Sequence, residues 1–415
     1  MEYEPLRKLY YMDEALYAKT YETRFHAEDA VRLDFDIGGH PAFFVQTTEV
    51  WQLAYAIARL DKRVAHLSGQ LPRVAKNQYS QKCLIDEIVV TNKIEGVHSS
   101  RKEIHDALEI LQKQSERRRN QRFLGLVNKY QKLIAGEIIP LETCADVRAI
   151  YDDVFLEEIL TEDPHNAPDG KIFRKESTAV HSETDRVIHT GLYPEDAIIT
   201  AMEKALAFLR NESVEQLFRV CIFHYLVEYI HPFYDGNGRM GRFILSYCLS
   251  EMLEPLLAYR LSGTIKEGIS AYYKAFVVCN DRKNLGDLTP FLLMMLQMIY
   301  AALKDLESSL DRRLLRWARY EALAEHFPNA DDGDMRNLYS CLIQAALFSE
   351  KGISTGELMQ GLHKTYYVIR KMLSAIPDDL LMAQRKGKEK YYQMNLAVLD
   401  DVLLEAAKEN GEVEK

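Results

Sequence analysis

The sequence lacks the marks of several protein classes. Its six cysteines, Cys83, Cys144, Cys221, Cys248, Cys279 and Cys341, form no C-x-x-C pair, and none stands at a zinc-like spacing from histidine. Most lie in apolar helical contexts, so buried reduced thiols and a cytoplasmic location are expected. There is no long apolar run. The longest, Phe291 to Leu303, is broken by Gln297 and too short to cross a bilayer, so no membrane partner is expected. The opening MEYEPLRKLYYMDEAL is acidic and mixed, unlike a signal peptide. Nor is there an excess of base. The 52 Lys+Arg face 62 Asp+Glu, a net charge of -10, which excludes a whole-chain footprint for nucleic acid. Long repeats and low-complexity tracts are missing too.

What is present is ordinary globular material, 47% hydrophobic and 27% charged. At roughly 150 residues per domain, two or three domains are expected. The apolar spacing is mostly helical, so the fold class is mainly α. Val31 to Thr47 alternates around Gly38-Gly39 and predicts a hairpin. A helix follows from Glu49 to about Gly69. Another covers about Ser80 to Glu95 and stops at Gly96. Ser100, with Glu103 three residues on, has the capping-box spacing for the next helix. Thr161 to Gly170 reads as a loop, and Thr178 to Thr190 as two short β-like runs around a polar turn. Helices are expected over 194–210 and 213–229, and again from Arg239.

The sharpest feature is HPFYDGNGRMGR, from His231 to Arg242, between two apolar helices. Asn237 is a good N-cap residue, and Gly236 and Gly238 free the backbone to turn. The unpaired amides opening the next helix, with its dipole, attract anions. Arg239 and Arg242 are three apart and share a face. Asp235 adds a carboxylate, and Mg²⁺ commonly binds one or two carboxylates plus substrate phosphates. His231 can serve as general base toward a hydroxyl. Together these are the parts for moving a piece of a nucleotide onto a hydroxyl, where positioning and electrostatics carry most of the catalysis.

The stretch resembles the signature of the Fic family, H-x-F-x-(D/E)-G-N-G-R-x-x-R, at every fixed position. A chance match is rarer than about one in a million at average residue usage. The broader similarity spans about residues 100–305. The resemblance implies a Fic-type helical bundle with a short β-hairpin flap, and transfer of AMP from ATP, with Mg²⁺, to a Ser, Thr or Tyr hydroxyl of a protein. It implies His231 as the base and Asp235 as the metal ligand. Gly236, Asn237, Gly238, Arg239 and Arg242 would form the nucleotide site, with Phe233 fixing the loop. Gly238 stands where phosphotransferring relatives, similar to the Doc toxins, carry lysine, which favours nucleotidyl transfer. Residues 178–190 resemble the Fic flap, whose exposed strand edge can pair with a target segment. Tyr272 and Tyr273, with Gly286 to Phe291, resemble segments found downstream in the family. The tyrosines are assigned to the nucleotide site, with core packing the alternative.

Thr91-Asn-Lys-Ile-Glu95-Gly96 is similar to the family's inhibitory motif, (S/T)-x-x-x-E-(G/N). That likeness implies Glu95 pairing with Arg242 and occupying the guanidinium that the γ-phosphate needs. Thr91, one turn earlier, shares the side of Glu95.

Beyond a linker, helix-cap chemistry at Ser354 or Thr355, a second helix from Lys364 to Leu373 and two strands around Lys386-Gly387-Lys388 give a winged helix-turn-helix pattern. Basic residues here, including Arg370, Lys371, Arg385, Lys386, Lys388 and Lys390, stand beside Tyr366, Tyr367, Tyr391 and Tyr392. They are compatible with DNA, and such domains also dock proteins. The expected domains are 1–98 with an inhibitory helix at about 80–96, a catalytic core at 99–310, a linker at 311–334 and a winged helix at 335–415. The family resemblance also implies a homodimer. Removal of AMP from a modified protein, and a DNA-binding regulator whose Fic fold senses nucleotide, stand as alternatives.

Overall fold

The computed structural model describes residues 3–112, 122–181, 187–386 and 389–409. The fold is mainly helical, with three small antiparallel sheets among the described residues. The chain divides into two compact units: Met1–Lys62 with Leu84–Leu306, and Arg63–Cys83 with Glu307–Lys415.

The first unit opens with α1 (Leu6–Met12) and α2 (Glu14–Phe25). The Asp13 carboxylate caps α2 by accepting the Leu16 N–H at 2.9 Å. β1 (Ala30–Ile37) and β2 (His40–Val45) form the expected hairpin, turning through Gly38 and Gly39 at φ of 61° and 86°. Leu6 and Leu9 bury against Phe43 and Val45, with Tyr17, Tyr21 and Phe25 around them. α3 (Thr48–Gly69) and α4 (Arg73–Ile94) are long and contribute residues to both units. α4 begins upstream of the expected Ser80, because Pro72 starts it and its carbonyl accepts the Lys76 N–H at 2.8 Å.

The capping box of α5 (Arg101–Gln112) forms as its spacing predicts. The Ser100 N–H donates to Glu103 Oε2 at 2.8 Å, and the Glu103 N–H donates to Ser100 Oγ at 3.2 Å. α6 (Leu124–Ile134) and α7 (Cys144–Tyr151) follow, and α7 passes through a π turn at Asp152–Leu156 into α8 (Glu157–Glu162). β3 (Ala179–His181) and β4 (Val187–Thr190) pair antiparallel where the flap is expected, and its tip, 182–186, lies outside the described residues.

Next come α9 (Glu195–Leu209), α10 (Gln216–Ile230), α11 (Asn237–Ser250), α12 (Leu261–Glu267), α13 (Ile269–Cys279) and α14 (Thr289–Ala324). α10 is apolar on all sides and buries Phe218, Ile222, Leu226 and Ile230 between α9 and α11. Each such side chain contributes about 1.5–3 kcal/mol on full burial. The helix that delivers His231 is therefore held firmly.

In the second unit, α15 (Gly333–Phe348) is followed by β5 (Ile353–Ser354), α16 (Thr355–Leu362), α17 (Tyr366–Leu373), β6 (Leu381–Lys386), β7 (Glu389–Met394) and α18 (Leu396–Glu409). The strand order is β5-β7-β6. Ser354 and Glu357 form a capping box at α16. Leu342, Phe348, Leu358, Ile369 and Met394 are buried here. Residues 311–334 are not a linker throughout. α14 continues to Ala324, since Leu310, Tyr320 and Ala324 repeat on a buried face. Only the short stretch before α15 turns. Residues 387 and 388, read as the hairpin turn, lie outside the described residues.

No helix among the described residues is long and apolar enough to cross a membrane. All six cysteines are free; Cys83, Cys144, Cys221 and Cys279 are buried, and Cys248 and Cys341 partly so.

Candidate active site

His231 is the C-cap of α10, in the left-handed region at φ 53°, with its N–H donating to the Val227 carbonyl at 2.9 Å. A non-glycine residue there is uncommon and persists where its surroundings over-determine it. Here the Arg174 guanidinium does so, donating to the His231 carbonyl through Nε at 2.9 Å and Nη2 at 2.7 Å. Burial, then the neighbouring His189 and Arg174, pushes the imidazole pKa down to about 3, against a weaker pull from the Glu228 carbonyl. The ring is neutral at ordinary pH, the form in which it can accept a proton.

The loop after His231 is fastened by its own residues. Phe233 is fully buried, its ring stacked on Tyr151 with centroids 3.6 Å apart. Asn237 does not cap α11. Its amide donates to the Phe233 carbonyl at 2.8 Å and its Oδ1 accepts the Phe233 N–H at 2.9 Å, so the side chain closes the loop. Gly236 is the N-cap instead, at φ 80°, and a Cβ there would meet Ile159 Cδ1 at 2.8 Å. The sequence offers Asn237 as a cap because its type fits, but the buried Phe233 backbone claims both its polar atoms. Asn237→Ala is expected to cost about 2–3 kcal/mol, because it strands a buried donor and acceptor. Urea unfolding with an unchanged m-value measures this; a loss no larger than about 1 kcal/mol is what a simple cap gives.

The two arginines differ. Arg239 is buried and donates from Nη1 to Glu158 Oε1 at 3.0 Å, while Nε and Nη2 have no partner among the described residues. Arg242 is held by the last turn and C-cap of α4. Nε donates to Thr91 Oγ1 at 2.9 Å, and Nη2 donates to the Thr91 carbonyl at 3.2 Å and to Glu95 Oε1 at 2.7 Å. Burial alone would lower the Arg242 pKa, but the Glu95 charge beside it raises it above the usual arginine value. α4 ends in a Schellman turn: the Val97 N–H donates to the Asn92 carbonyl at 2.9 Å, the Gly96 N–H to the Lys93 carbonyl at 3.4 Å, and Gly96 takes φ 73°. The turn sends Glu95 toward α11, where a Cβ on Gly238 would strike its Oε1.

Glu95, Glu228, His231, Arg242, Tyr272 and Tyr273 line one cavity of about 70 Å³. Tyr272 is buried, with its hydroxyl 2.7 Å from His224 Nε2. Three residues here were not singled out from the sequence. Glu228 stands one helical turn before His231, a spacing that could have flagged it. Burial raises its pKa to about 8, against the pull of Arg242. His189 of β4 donates from Nε2 to the Tyr229 carbonyl at 2.6 Å. Arg174 carries no local signal at all.

Asp235 is partly exposed, and its Oδ1 accepts the Gly236 N–H at 2.5 Å. No group of three or more His, Cys, Asp or Glu among the described residues is set to hold a metal. A single accessible carboxylate suits a cation that arrives with phosphates, as Mg²⁺ does.

Residues 142–249 match the Fic/DOC family. A 45-residue stretch is 51% identical to a probable protein adenylyltransferase of Aquifex aeolicus (strain VF5), covering 11% of this chain and 14% of that protein. The match thus spans a small part of that relative's length. The crystal structure of a Fic family protein from Desulfovibrio desulfuricans G20 superposes with a TM-score of 0.52 at 21% identity, covering 84% of this chain and 96% of that one. Fic-1 from C. elegans superposes with a TM-score of 0.42 at 18% identity, covering 63% of this chain and 74% of that one. The match to the Fic/DOC family covers residues 142–249, the segment that holds His231, Arg239 and Arg242.

Proposed function

We propose that this chain is a protein adenylyltransferase, transferring AMP from ATP to a hydroxyl of a target protein, and that Glu95 holds it at rest. One observation carries the reading: a neutral imidazole, an amide-bearing helix start and the buried Arg242 guanidinium converge on one cavity, with the Glu95 carboxylate on that guanidinium. His231 takes the proton of the target hydroxyl as its oxygen bonds to the α-phosphorus, and pyrophosphate leaves. The amides opening α11 and the guanidinium groups of Arg239 and Arg242 meet the phosphate charge. Asp235 would hold Mg²⁺, which screens that charge when bound.

Glu95 opposes this arrangement. Its carboxylate sits at the start of α11, where a phosphate would go, and takes up Arg242. The cavity left is well below the ~300–1,000 Å³ usual for small-molecule sites.

The test is parallel incubation of Glu95→Gly protein with α-labelled and γ-labelled ATP. Label on protein from the α position alone supports AMP transfer. Label from the γ position means phosphorylation instead, and release of AMP from a pre-modified protein means the reverse reaction.

For the C-terminal segment we infer a winged helix. The order β5-β7-β6 beside α15, α16 and α17 supports this, and Tyr366 and Tyr367 are 55% and 77% exposed on α17 with Arg370 beside them. DNA is the partner that this basic, aromatic helix fits.

A further inference from the structure

Arg174 is 0% exposed, yet each of its hydrogen-bond partners among the described residues is a main-chain carbonyl and none is a carboxylate. A buried guanidinium without a counter-charge is costly and is kept where its geometry is needed. Its fork reaches three places. Nη1 donates to the carbonyl of Glu176, just before β3. Nη2 donates to the carbonyl of Leu192, just after β4, at 2.8 Å. Nε and Nη2 together hold the carbonyl of His231.

Other bonds converge on the same seam. The Leu192 N–H donates to the Ile230 carbonyl at 3.1 Å, and the Arg174 N–H to the Pro232 carbonyl at 3.3 Å. Between them Gly191 fits because it has no side chain. A Cβ there would strike Arg174 Nη2 and come within 2.9 Å of His231 Cβ. Only arginine suits the position. Lysine carries the charge but has one nitrogen, whereas the planar fork spans several acceptors at fixed angles.

We propose that Arg174 is a positioning residue that clamps both feet of the β3–β4 hairpin to the backbone of His231, so that an acceptor segment laid on the hairpin and the imidazole keep one fixed relation. The inference rests on the transferase reading for its catalytic consequence, but the clamp itself is a property of the fold.

The experiment uses full-length Glu95→Gly protein as parent, with Arg174→Gln and Arg174→Lys added singly. Amide hydrogen exchange is followed over 174–181, 187–192 and 230–234. AMP transfer to protein and ATP binding are measured on the same samples. Both variants are expected to exchange about tenfold faster in all three segments together, while α10 and α11 stay protected. The kcat for AMP transfer is expected to fall roughly 10²-fold, with KM for ATP within about twofold.

Three results overturn the proposal: exchange unchanged at the hairpin feet, a kcat in the Arg174→Lys variant equal to that of the Glu95→Gly parent, or ATP binding lost in step with protection of α10. The first two show that no clamp, or charge alone, matters; the third shows a general structural role. Should Arg174→Gln fail to fold, Arg174→Lys and Gly191→Ala carry the exchange test. If the parent transfers no AMP, the transferase reading fails, while the exchange arm still decides the clamp.

Discussion

Replacing Glu95 with glycine is expected to raise AMP transfer by about 10- to 100-fold. The magnitude follows from the pair it breaks. Breaking a buried ion pair by removing one partner costs 3–5 kcal/mol, and an exposed pair is worth about 0–1 kcal/mol. This pair lies between, with the Arg242 side chain 2% exposed and that of Glu95 29%. Roughly 1.5–3 kcal/mol of hold on Arg242 corresponds to one to two decades of rate. The same substitution clears the start of α11, since the Glu95 carboxylate fills the space beside Gly238. Incorporation of α-label into protein, with Mg²⁺ varied, measures the rise. An unchanged rate at every Mg²⁺ concentration would mean that Glu95 does not restrain the site. Glu95→Gln should fall between, because it keeps the bulk and the hydrogen bond but not the charge.

Replacing His231 with alanine in that parent is expected to lower transfer by about 10²–10⁴-fold, the range for losing a general base. ATP affinity should hold, because Arg242 and the α11 amides remain. The pH dependence sharpens the test. In the nucleotide-free protein the His231 pKa is pushed to about 3 by burial, His189 and Arg174. Protonation therefore removes the base only in strong acid, and kcat/KM should show no histidine limb near 6.5. A bound triphosphate brings negative charge beside the ring and favours the imidazolium. The acid limb of kcat should then lie above that of kcat/KM. Coincident limbs, or full activity in the alanine variant, would take the proton-accepting role away from His231. Glu228, Arg242 and Glu95 line the same cavity as this ring, and Glu228, its pKa raised to about 8 by burial, titrates as well, so the profiles need comparison with Glu228→Gln.

Much of this site could be read in the residues themselves. The loop from His231 to Arg242 concentrates donors, charge and glycine within one turn and one helix start, so its chemistry is local. The capping box at Ser100 and the helix-cap chemistry at Ser354 or Thr355 were legible for the same reason, as was the hairpin at Gly38-Gly39. What escaped depends on burial or on distant chain. Asn237 has the type of a cap, and only the burial of Phe233 redirects it. Arg174 lies far in sequence from His231, and nothing around it announces that it holds that carbonyl. Glu228 sits in an apolar helix where a lone acid reads as incidental. The expected linker near 311–334 failed in its first half because charged residues there cover the outer face of a helix whose other face is buried.

The Schellman turn has one more implication. Glu95 hangs from the carbonyl end of α4, the pole that repels a negative group by about 0.3–1 kcal/mol, yet it touches the amide end of α11, the pole that attracts one. The acid is thus tethered at an unfavourable terminus and captured by a favourable one. Unwinding a single terminal turn of α4 would swing it aside and, because Thr91 lies in that turn, would release every bond that α4 makes to Arg242.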